Sequence, residues 1–392
     1  MKILFLTYDI PYPLDAGGKI RAYHLIKQLS RKHKITLFSY YRRKIQLRYL
    51  TEIKKYCQKI RVFQRMLVFS FNHIAAALLH PNLTAHIAHY YHQNLNNELK
   101  KELENGAYDI VHFESFYTSH LIDKYPVKQV LGTENIEWRV FMEHARQQPL
   151  ILKALFQFEA GRTKQYEEKS WKKADAVLAS SKENAEEIEK VIGKKCYLVP
   201  NGIDLEYFQF KKQRTDNKEQ KILFVGNFKY IQNQDAVLVL IKKVFPLIKK
   251  EVENAKLLII GRNPTRKIKN LADKDVFIDD KVEDIREAYY QADVLAAPIR
   301  AGSGTKFKIL EAMASGVAVV TTAAGSEGIE GQDGKEFLIR EKPEELAKAA
   351  VELLERKDLR NKLTINARKL VEEKYSWEKI VKELEKAYYT IR

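Results

Sequence analysis

The sequence predicts an α/β protein made of two Rossmann-like domains, each with a parallel sheet. Short apolar runs that suit buried strands alternate with longer helical stretches along the 392 residues, and this alternation is typical of parallel sheets covered by helices on both faces. The pattern also starts twice, because Lys2-Ile-Leu-Phe-Leu-Thr7 recurs as Lys221-Ile-Leu-Phe-Val-Gly226. Two similar buried strands about half a chain apart indicate two domains, each opening on its central strand.

Further apolar runs give the other predicted strands. They cover residues 35–38, 110–113, 127–131 and 176–179 in the first half and 256–260, 276–278, 294–297 and 317–321 in the second. The polar stretch 211–220 has no apolar period and follows Pro200-Asn-Gly. It is therefore the predicted linker.

The glycine-rich segment Arg300–Gly316 carries most of the functional information. It lies between two apolar runs and predicts a strand, a loop with Gly302 and Gly304, a helix beginning near Thr305 and a helix end at Gly316. Glycines let a backbone approach a ligand closely, and a helix N-terminus presents unpaired N–H groups and a positive dipole end. The segment therefore predicts an anion site, with a diphosphate as its natural occupant.

The helix after this loop has two faces. Phe307, Leu310 and Ala314 share an apolar face, whereas Lys308, Glu311 and Ser315 share a polar face predicted to point away from the core. Lys308 and Glu311 alone would suit a solvated surface pair. Behind a phosphate-binding loop, however, the Glu311 carboxylate is well placed to accept hydrogen bonds from both hydroxyls of a ribose.

The segment Arg300–Thr322 resembles the donor-site signature of retaining glycosyltransferases of the GT-B fold, in the large family usually numbered four. Gly302, Gly304, Lys308 and Glu311 match the Gly-x-Gly-x-x-x-Lys-x-x-Glu form of its exopolysaccharide-type branches. Other segments are similar to the family's in the same order along the chain: the opening strand and glycine turn 1–21, the interdomain turn 200–204, the second-domain opening 224–233 and the junction 282–285.

Two departures from the family pattern matter. Ser303 stands where many members have the first of two glutamates, and Glu311 matches the second. In the first domain, Glu134-Asn135 falls where relatives often have a His-Asn pair. The resemblance therefore supplies no acceptor-side catalytic residue.

The resemblance implies a GT-B fold whose two parallel sheets face each other across a cleft. It assigns residues 1–205 to the acceptor-side domain, 206–375 to the nucleotide-sugar donor domain and 376–392 to a C-terminal helix that crosses back to the first domain. The implied reaction moves a sugar from a nucleoside-diphosphate sugar to a saccharide or lipid-linked acceptor, with retention, in envelope or extracellular polysaccharide biosynthesis.

The resemblance and the charge pattern together give the candidate site residues. Arg300, Lys306 and Lys229 are expected to neutralise the departing diphosphate, although Arg300 and Lys306 also fit exposed bases on a basic protein. The expected donor contacts are Gly17, Gly18, Asn233, Gly302, Ser303, Gly304, Thr305, Lys308 and Glu311. Gly17 and Gly18 also suit a tight strand-to-helix turn, and Asn233 also suits a helix cap.

No metal or other cofactor is expected, since the nucleotide sugar is the donor substrate. His86, His89 and His92 have a three-residue spacing that can gather side chains on one helix face, but no Cys or Asp accompanies them. Asp279-Asp280 is adjacent rather than spaced and is predicted to end a strand.

The net charge of +17 indicates an anionic partner. The stretch from Arg42 to Arg65 contains nine Lys or Arg residues and a single acidic residue, Glu52. The apolar stretch Met66–Leu79 follows it. A basic amphipathic helix beside an apolar one suits an anionic membrane surface, so docking on the inner face of the cell membrane is expected. No nucleic-acid-binding motif is present, and nucleic acid is not an expected partner.

The remaining features favour the cytoplasm. The start of the chain lacks a secretory-signal pattern, and no apolar run reaches the ~20 residues of a spanning helix. Cys57 and Cys196 have no metal-type spacing, and no disulfide is expected. Two alternatives remain open, a nucleotide-sugar epimerase of the same architecture and a non-catalytic basic binding protein.

Overall fold

The computed structural model describes residues 1–66, 83–146, 148–211, 219–302 and 304–392. Contacts divide the chain into two compact units. Unit 1 comprises Met1–Pro200 and Ile380–Arg392, and unit 2 comprises Asn201–Lys379. The chain therefore leaves unit 1 after Pro200 and returns to it within the last helix.

Unit 1 contains a seven-stranded sheet with the order β3-β2-β1-β4-β5-β6-β7. The strands are β1 Lys2–Thr7, β2 Lys34–Tyr41, β3 Lys59–Gln64, β4 Ile110–Glu114, β5 Lys128–Thr133, β6 Ala176–Ala179 and β7 Tyr197–Leu198. The helices are α1 Gly17–Leu29, α2 Leu50–Ile53, α3 Ala85–Ala88, α4 Gln93–Asn105, α5 Glu137–Arg146, α6 Leu150–Lys173 and α7 Lys182–Ile192, with 3-10 turns at Lys44–Tyr49 and Phe116–Leu121.

Unit 2 contains a six-stranded sheet with the order β10-β9-β8-β11-β12-β13. The strands are β8 Gln220–Val225, β9 Ala255–Ile260, β10 Val276–Asp279, β11 Val294–Ala297, β12 Ala318–Thr321 and β13 Leu338–Ile339. The helices are α8 Ile231–Val239, α9 Phe245–Glu251, α10 Arg266–Lys269, α11 Ile285–Gln291, α12 Phe307–Ser315, α13 Ala323–Ser326, α14 Pro343–Glu355 and α15 Lys357–Leu370. Two π-helical segments, Leu240–Val244 and Val371–Tyr375, extend α8 and α15, and α16 Trp377–Ile391 ends the chain.

Both sheets are parallel and buried, which confirms the predicted fold class. Every pairing between neighbouring strands of the described residues is parallel. The central strands β1 and β8 are apolar almost throughout, and Phe5 and Phe224 have no exposed surface. Strands buried on both faces require such continuous apolar runs, which is why the strand pattern was readable from the sequence.

The segment Arg42–Arg65 is not the basic amphipathic helix that its charges indicated. It forms a 3-10 turn, the short helix α2 and the edge strand β3, which pairs with β2. The apolar stretch Met66–Leu79 lies, except for Met66, outside the described residues, as does most of the predicted linker 211–220. Within the described parts of the chain, no helix is long and apolar enough to cross a membrane.

Gly316 ends α12 in a left-handed conformation with φ 76°, as glycine commonly does at a helix C-terminus. A Cβ added there would lie 2.8 Å from the Phe210 ring, whereas Gly334, at φ 77°, has no neighbour within 4 Å of an added Cβ. We expect Gly334→Ala to cost about 1–2 kcal/mol from backbone strain alone. Gly316→Ala should cost at least about 1 kcal/mol more, because Phe210 must shift.

Chemical denaturation of the two variants measures this difference. The gain from restricting the unfolded chain is the same for both substitutions and cancels. Equal losses of stability would show that Phe210 yields freely and that the close approach is unimportant.

Candidate functional site

The glycine loop, residues Arg300–Lys306, lies at the carboxyl edge of the unit 2 sheet. It connects β11 to α12, and β11 pairs with β8 at the point where the strand order reverses. Open parallel sheets bind ligands outside the carboxyl ends of their strands at such a point. The loop therefore occupies the favoured ligand position of this unit.

Two glycines shape the loop. Gly302 and Gly304 have φ values of 102° and 78°, which residues with a Cβ rarely adopt. The Lys306 ammonium donates to the carbonyl oxygens of Gly302 at 2.7 Å and Gly304 at 2.6 Å. Ser303, predicted as a donor contact, lies outside the described residues. The Lys306 side chain thus stabilises the loop conformation and places its positive charge within the loop.

The helix behind the loop starts later than predicted. α12 begins at Phe307, with Lys306 as its N-cap, and not near Thr305. Thr305 is buried and packs against Gly328, where an added Cβ would lie 3.2 Å from the Thr305 nitrogen. Thr305 therefore belongs to the loop, and the helix begins two residues later than predicted.

The polar face of α12 is packed inside the protein, which corrects the prediction that it points away from the core. Ser315 is fully buried, and Lys308 and Glu311 are half-buried. The Lys308 ammonium donates to Asn233 Oδ1 at 2.7 Å and lies 4.3 Å from the centre of the Phe224 ring. Burial lowers the pKa of Lys308 to about 7. Lys308 and Glu311 are therefore not a solvated surface pair.

Glu311 lies one turn into α12 and is held by Tyr289 of α11. The Tyr289 hydroxyl donates to Glu311 Oε2 at 2.6 Å. Burial raises the pKa of Glu311, while Tyr289 and the charge of Lys308 oppose that rise. The carboxylate is thus fixed in orientation next to a cation.

Asn233 lies in the first turn of α8 and does not cap the helix, because Tyr230 occupies the N-cap position. Its Nδ2 donates to the carbonyl oxygen of Asn227 at 2.9 Å, and its Oδ1 accepts from Lys308. Lys229 is exposed, and its backbone N–H donates to Asn227 Oδ1. Asn233 therefore joins the turn after β8 to α12.

Arg300 forms a two-pronged ion pair with Asp235 of α8. Arg300 Nε donates to Asp235 Oδ2 at 2.9 Å, and a second guanidinium nitrogen donates to Oδ1. Both side chains are exposed, and such pairs are worth about 0–1 kcal/mol. The Arg300 guanidinium can therefore exchange Asp235 for another anion with little loss of free energy.

The structure thus brings Asn233, the glycine loop, Lys308 and Glu311 together. Sequence reasoning missed Asp235 and Tyr289, which are 65 and 22 residues from their partners Arg300 and Glu311. Nothing in the sequence marks either residue. Gly17 and Gly18 belong to unit 1.

In unit 1, Gly18 lies near a buried carboxyl group. α1 begins at Gly17, and a Cβ added to Gly18 would lie 2.8 and 2.9 Å from the two carboxylate oxygens of Glu134. Burial and the charge of Glu114 raise the pKa of Glu134 to about 8. The absence of a side chain at Gly18 leaves room for this carboxyl group.

A buried polar network adjoins Glu134. Arg21 Nε donates to Glu114 Oε1 at 2.7 Å, and His112 Nε2 lies 2.6 Å from Glu114 Oε2. Burial opposes ionisation of Glu114, but Arg21 and His112 hold its pKa well below the ordinary value. The next residue, Ser115, has φ 83°, and such strained backbone is concentrated at functional sites.

The spaced histidines do not form a metal site in the described structure. His86 stacks on Phe141, and His92 Nδ1 accepts the Leu95 N–H at the start of α4. Across the described ranges, no group of three or more His, Cys, Asp or Glu side chains is arranged to hold a metal.

The low pKa of Lys308 predicts a pH-dependent stability. Between pH 7 and the ordinary lysine pKa of 10.5, the unfolded chain binds more protons than the folded chain. The free energy of unfolding should therefore rise with pH in this window, by at most about 1.4 kcal/mol per pH unit. Denaturation of wild type and Lys308→Met at several pH values should show a flatter slope in the variant.

Lys308→Arg provides the matched control for this prediction. It keeps a charge at every pH, and we expect it to be less stable than wild type above pH 7. Equal slopes for wild type and Lys308→Met would contradict the assignment.

The raised pKa of Glu134 predicts that the free energy of unfolding changes with pH in the opposite direction. Its raised pKa means that the folded chain binds more protons between pH 4.5 and about 8, so stability falls as pH rises through this window. Glu134→Gln stays neutral and should gain stability relative to wild type on going from pH 5 to pH 8. Denaturation at these two pH values measures the effect, and a constant difference would contradict it.

Two family models match this chain, and both describe glycosyltransferases. The model described as Glycosyltransferase Family 4 matches residues 16–207, and the one described as Glycosyl transferases group 1 matches residues 219–356. A Klebsiella pneumoniae protein, described as an uncharacterized 44.6 kDa protein in cps region, is 24% identical over 396 residues and covers 97% of both chains.

Solved structures share the fold. Sucrose-phosphate synthase from Thermosynechococcus elongatus has a TM-score of 0.72 at 15% identity, covering 100% of this chain and 98% of that chain. Anabaena Alr3699/HepE in complex with UDP and glucose has a TM-score of 0.66 at 15% identity, covering 100% of both. Two glycosyltransferase family models in succession, on a pair of parallel-sheet units, identify the chain as a glycosyltransferase of the GT-B fold.

Proposed function

We propose that this glycosyltransferase moves a sugar, with retention, from a nucleoside-diphosphate sugar to a saccharide or lipid-linked acceptor. The reaction is a hexosyl or related glycosyl transfer in envelope or extracellular polysaccharide biosynthesis. The observation that carries the proposal is the half-buried carboxylate of Glu311, held one turn behind a cationic glycine loop at the carboxyl edge of the unit 2 sheet.

The proposed donor pose follows from this geometry. The diphosphate lies at the glycine loop, where the N-terminal N–H groups of α12 and the Lys306 charge favour an anion. Glu311 lies four residues after Phe307, about 6 Å along the helix axis. That spacing suits a ribose attached directly to the diphosphate, with Glu311 accepting its hydroxyl hydrogens.

The cations around the loop supply the proposed catalysis. Negative charge grows on the diphosphate as the bond to the sugar breaks, and groups that bind this charge more strongly in the transition state increase the rate. Arg300 can leave Asp235 for the phosphate, Lys306 is already in the loop, and exposed Lys229 is the third base. This assignment requires neither a metal ion nor a protein nucleophile.

The proposed acceptor side is the carboxyl edge of the unit 1 sheet, at Glu134, and Gly17 and Gly18 remain proposed donor contacts. A neutral carboxyl group can donate and accept hydrogen bonds, which suits a sugar hydroxyl. The Klebsiella pneumoniae relative, described by its place in a cps region, supports a role in polysaccharide biosynthesis. The high positive charge supports work at an anionic membrane surface on the cytoplasmic side.

The ribose assignment predicts the effect of Glu311→Ala on nucleotide binding. Losing a charge-assisted pair of hydrogen bonds should cost roughly 1.5–3 kcal/mol, which corresponds to an affinity lower by about 10- to 150-fold. Thermal-shift measurements with UDP, GDP and ADP first select the nucleotide, and titration calorimetry then compares the variant with wild type.

Tyr289→Phe is the matched control for Glu311→Ala. It removes the hydroxyl that orients Glu311 but keeps the carboxylate, and we expect a loss of less than about fivefold. Unchanged affinity in Glu311→Ala would show that the ribose lies elsewhere. Failure of wild type to bind any of the three nucleotides would overturn the proposed donor.

A further inference from the structure

Helices α5 and α6 form a hairpin with an apolar surface that the rest of the described chain leaves uncovered. Leu150 is 85% exposed, Leu155 62% and Phe158 67%. Exposed clusters of large apolar side chains on a soluble protein mark interaction surfaces. We call Leu150, Leu152, Leu155 and Phe158 the hairpin tip.

The outward stripe of α6 changes character along its length. Exposed residues recur at spacings of three and four, as one helix face requires, and none of them is acidic: Leu150, Ala154, Phe158, Gly161, Gln165, Lys169 and Lys172. The stripe is therefore apolar at its N-terminal half and basic at its C-terminal half.

Helix α6, which carries this stripe, is packed against the rest of unit 1. Glu167 of α6 accepts the backbone N–H groups of Glu137 and Trp138 at 2.9 Å each, which caps the start of α5. On its opposite side α6 is buried through Ala160, Thr163 and Glu167. The exposed side chains therefore belong to a packed helix.

The charge of the surrounding unit favours one class of partner. Unit 1 has 35 Lys and Arg against 22 Asp and Glu residues, a net charge of +13, whereas the remaining 33 and 29 give unit 2 a charge of +4. A second copy pairing through the same tip would bring two such cationic units together, which their repulsion opposes. An anionic bilayer instead attracts the lysines and receives the apolar side chains.

We propose that the hairpin tip inserts into an anionic lipid bilayer while Lys169 and Lys172 contact lipid phosphates. Leu150 and Phe158 are about 12 Å apart along the helix axis, and Lys169 lies about 16 Å beyond Phe158. A helix tilted into the surface thus buries its first turns and leaves its lysines at the headgroups. This inference rests on the proposed peripheral role and assigns the contact to α6 instead of the segment Arg42–Arg65.

Vesicle flotation of the full chain tests the contact. The vesicles are phosphatidylcholine alone and phosphatidylcholine with about 30% phosphatidylglycerol, at low and at moderate salt. Wild type should float with the anionic vesicles, and less so as salt increases. Leu155→Ser/Phe158→Ser should lower the bound fraction about tenfold or more, and Lys169→Gln/Lys172→Gln should remove most of the salt dependence.

Control variants show whether vesicle binding depends on the hairpin tip itself and whether it is independent of nucleotide binding. Phe277→Ser/Ile365→Ser removes two exposed apolar side chains of unit 2 and should float like wild type. The tip variant should keep the wild-type melting temperature and nucleotide affinity, because its side chains are exposed and neither is a proposed donor contact. If wild type binds no nucleotide, that result would contradict the proposed function but not the membrane contact of the hairpin tip.

Three results would overturn the hairpin assignment. The first is equal flotation of wild type and the tip variant. The second is loss of flotation in Arg42→Gln/Arg43→Gln/Lys44→Gln with an unaffected tip variant, which moves the contact to the basic segment and leaves the peripheral role standing. The third is an absence of vesicle binding together with a wild-type dimer, seen by sedimentation, that the tip variant loses. That result would make the tip an interface between two copies.

Discussion

The parallel direction of every described strand pair is the constraint on which the candidate sites depend. Each strand must be followed by a return connection on the sheet face, so all carboxyl ends of one sheet meet at one edge. In unit 1 this edge collects Gly18, Glu114 and Glu134, and in unit 2 it collects Asn233 and the glycine loop. Segments that are distant in the sequence therefore contribute side chains to the same place.

Buried polar groups also fix the end of the chain. The hydroxyl of Tyr388 in α16 contacts His112, and Glu385 accepts from His33 at 2.9 Å. Because a buried charge or hydroxyl is costly without a partner, these contacts specify where the last helix lies in unit 1. Arg21 extends the network by donating to the carbonyl oxygens of Val199 and Pro200, next to the point where the chain enters unit 2.

The sequence predicted the long buried strands well and the edges of the sheets poorly. β3 was missed because Lys59 and Arg61 alternate with apolar residues in a charged segment, although charged residues are common on edge strands. β7 and β13 have two residues each and carry no readable pattern. In the site, glycine spacing marked the loop, but Asp235 and Tyr289 act through contacts across the fold that no local pattern encodes.

Exposure separates the proposed roles of the cations around the glycine loop. Arg300 is exposed and held by one carboxylate, so a diphosphate can capture it by exchanging one weak ion pair for another. Lys306 is bound to two loop carbonyl oxygens, and its charge is in place before any ligand arrives. Lys308 is enclosed by Asn233 and Phe224 and cannot move toward a ligand without losing both contacts. In the proposed donor pose its contribution to anion binding would therefore come through its protonation, which a nearby diphosphate favours.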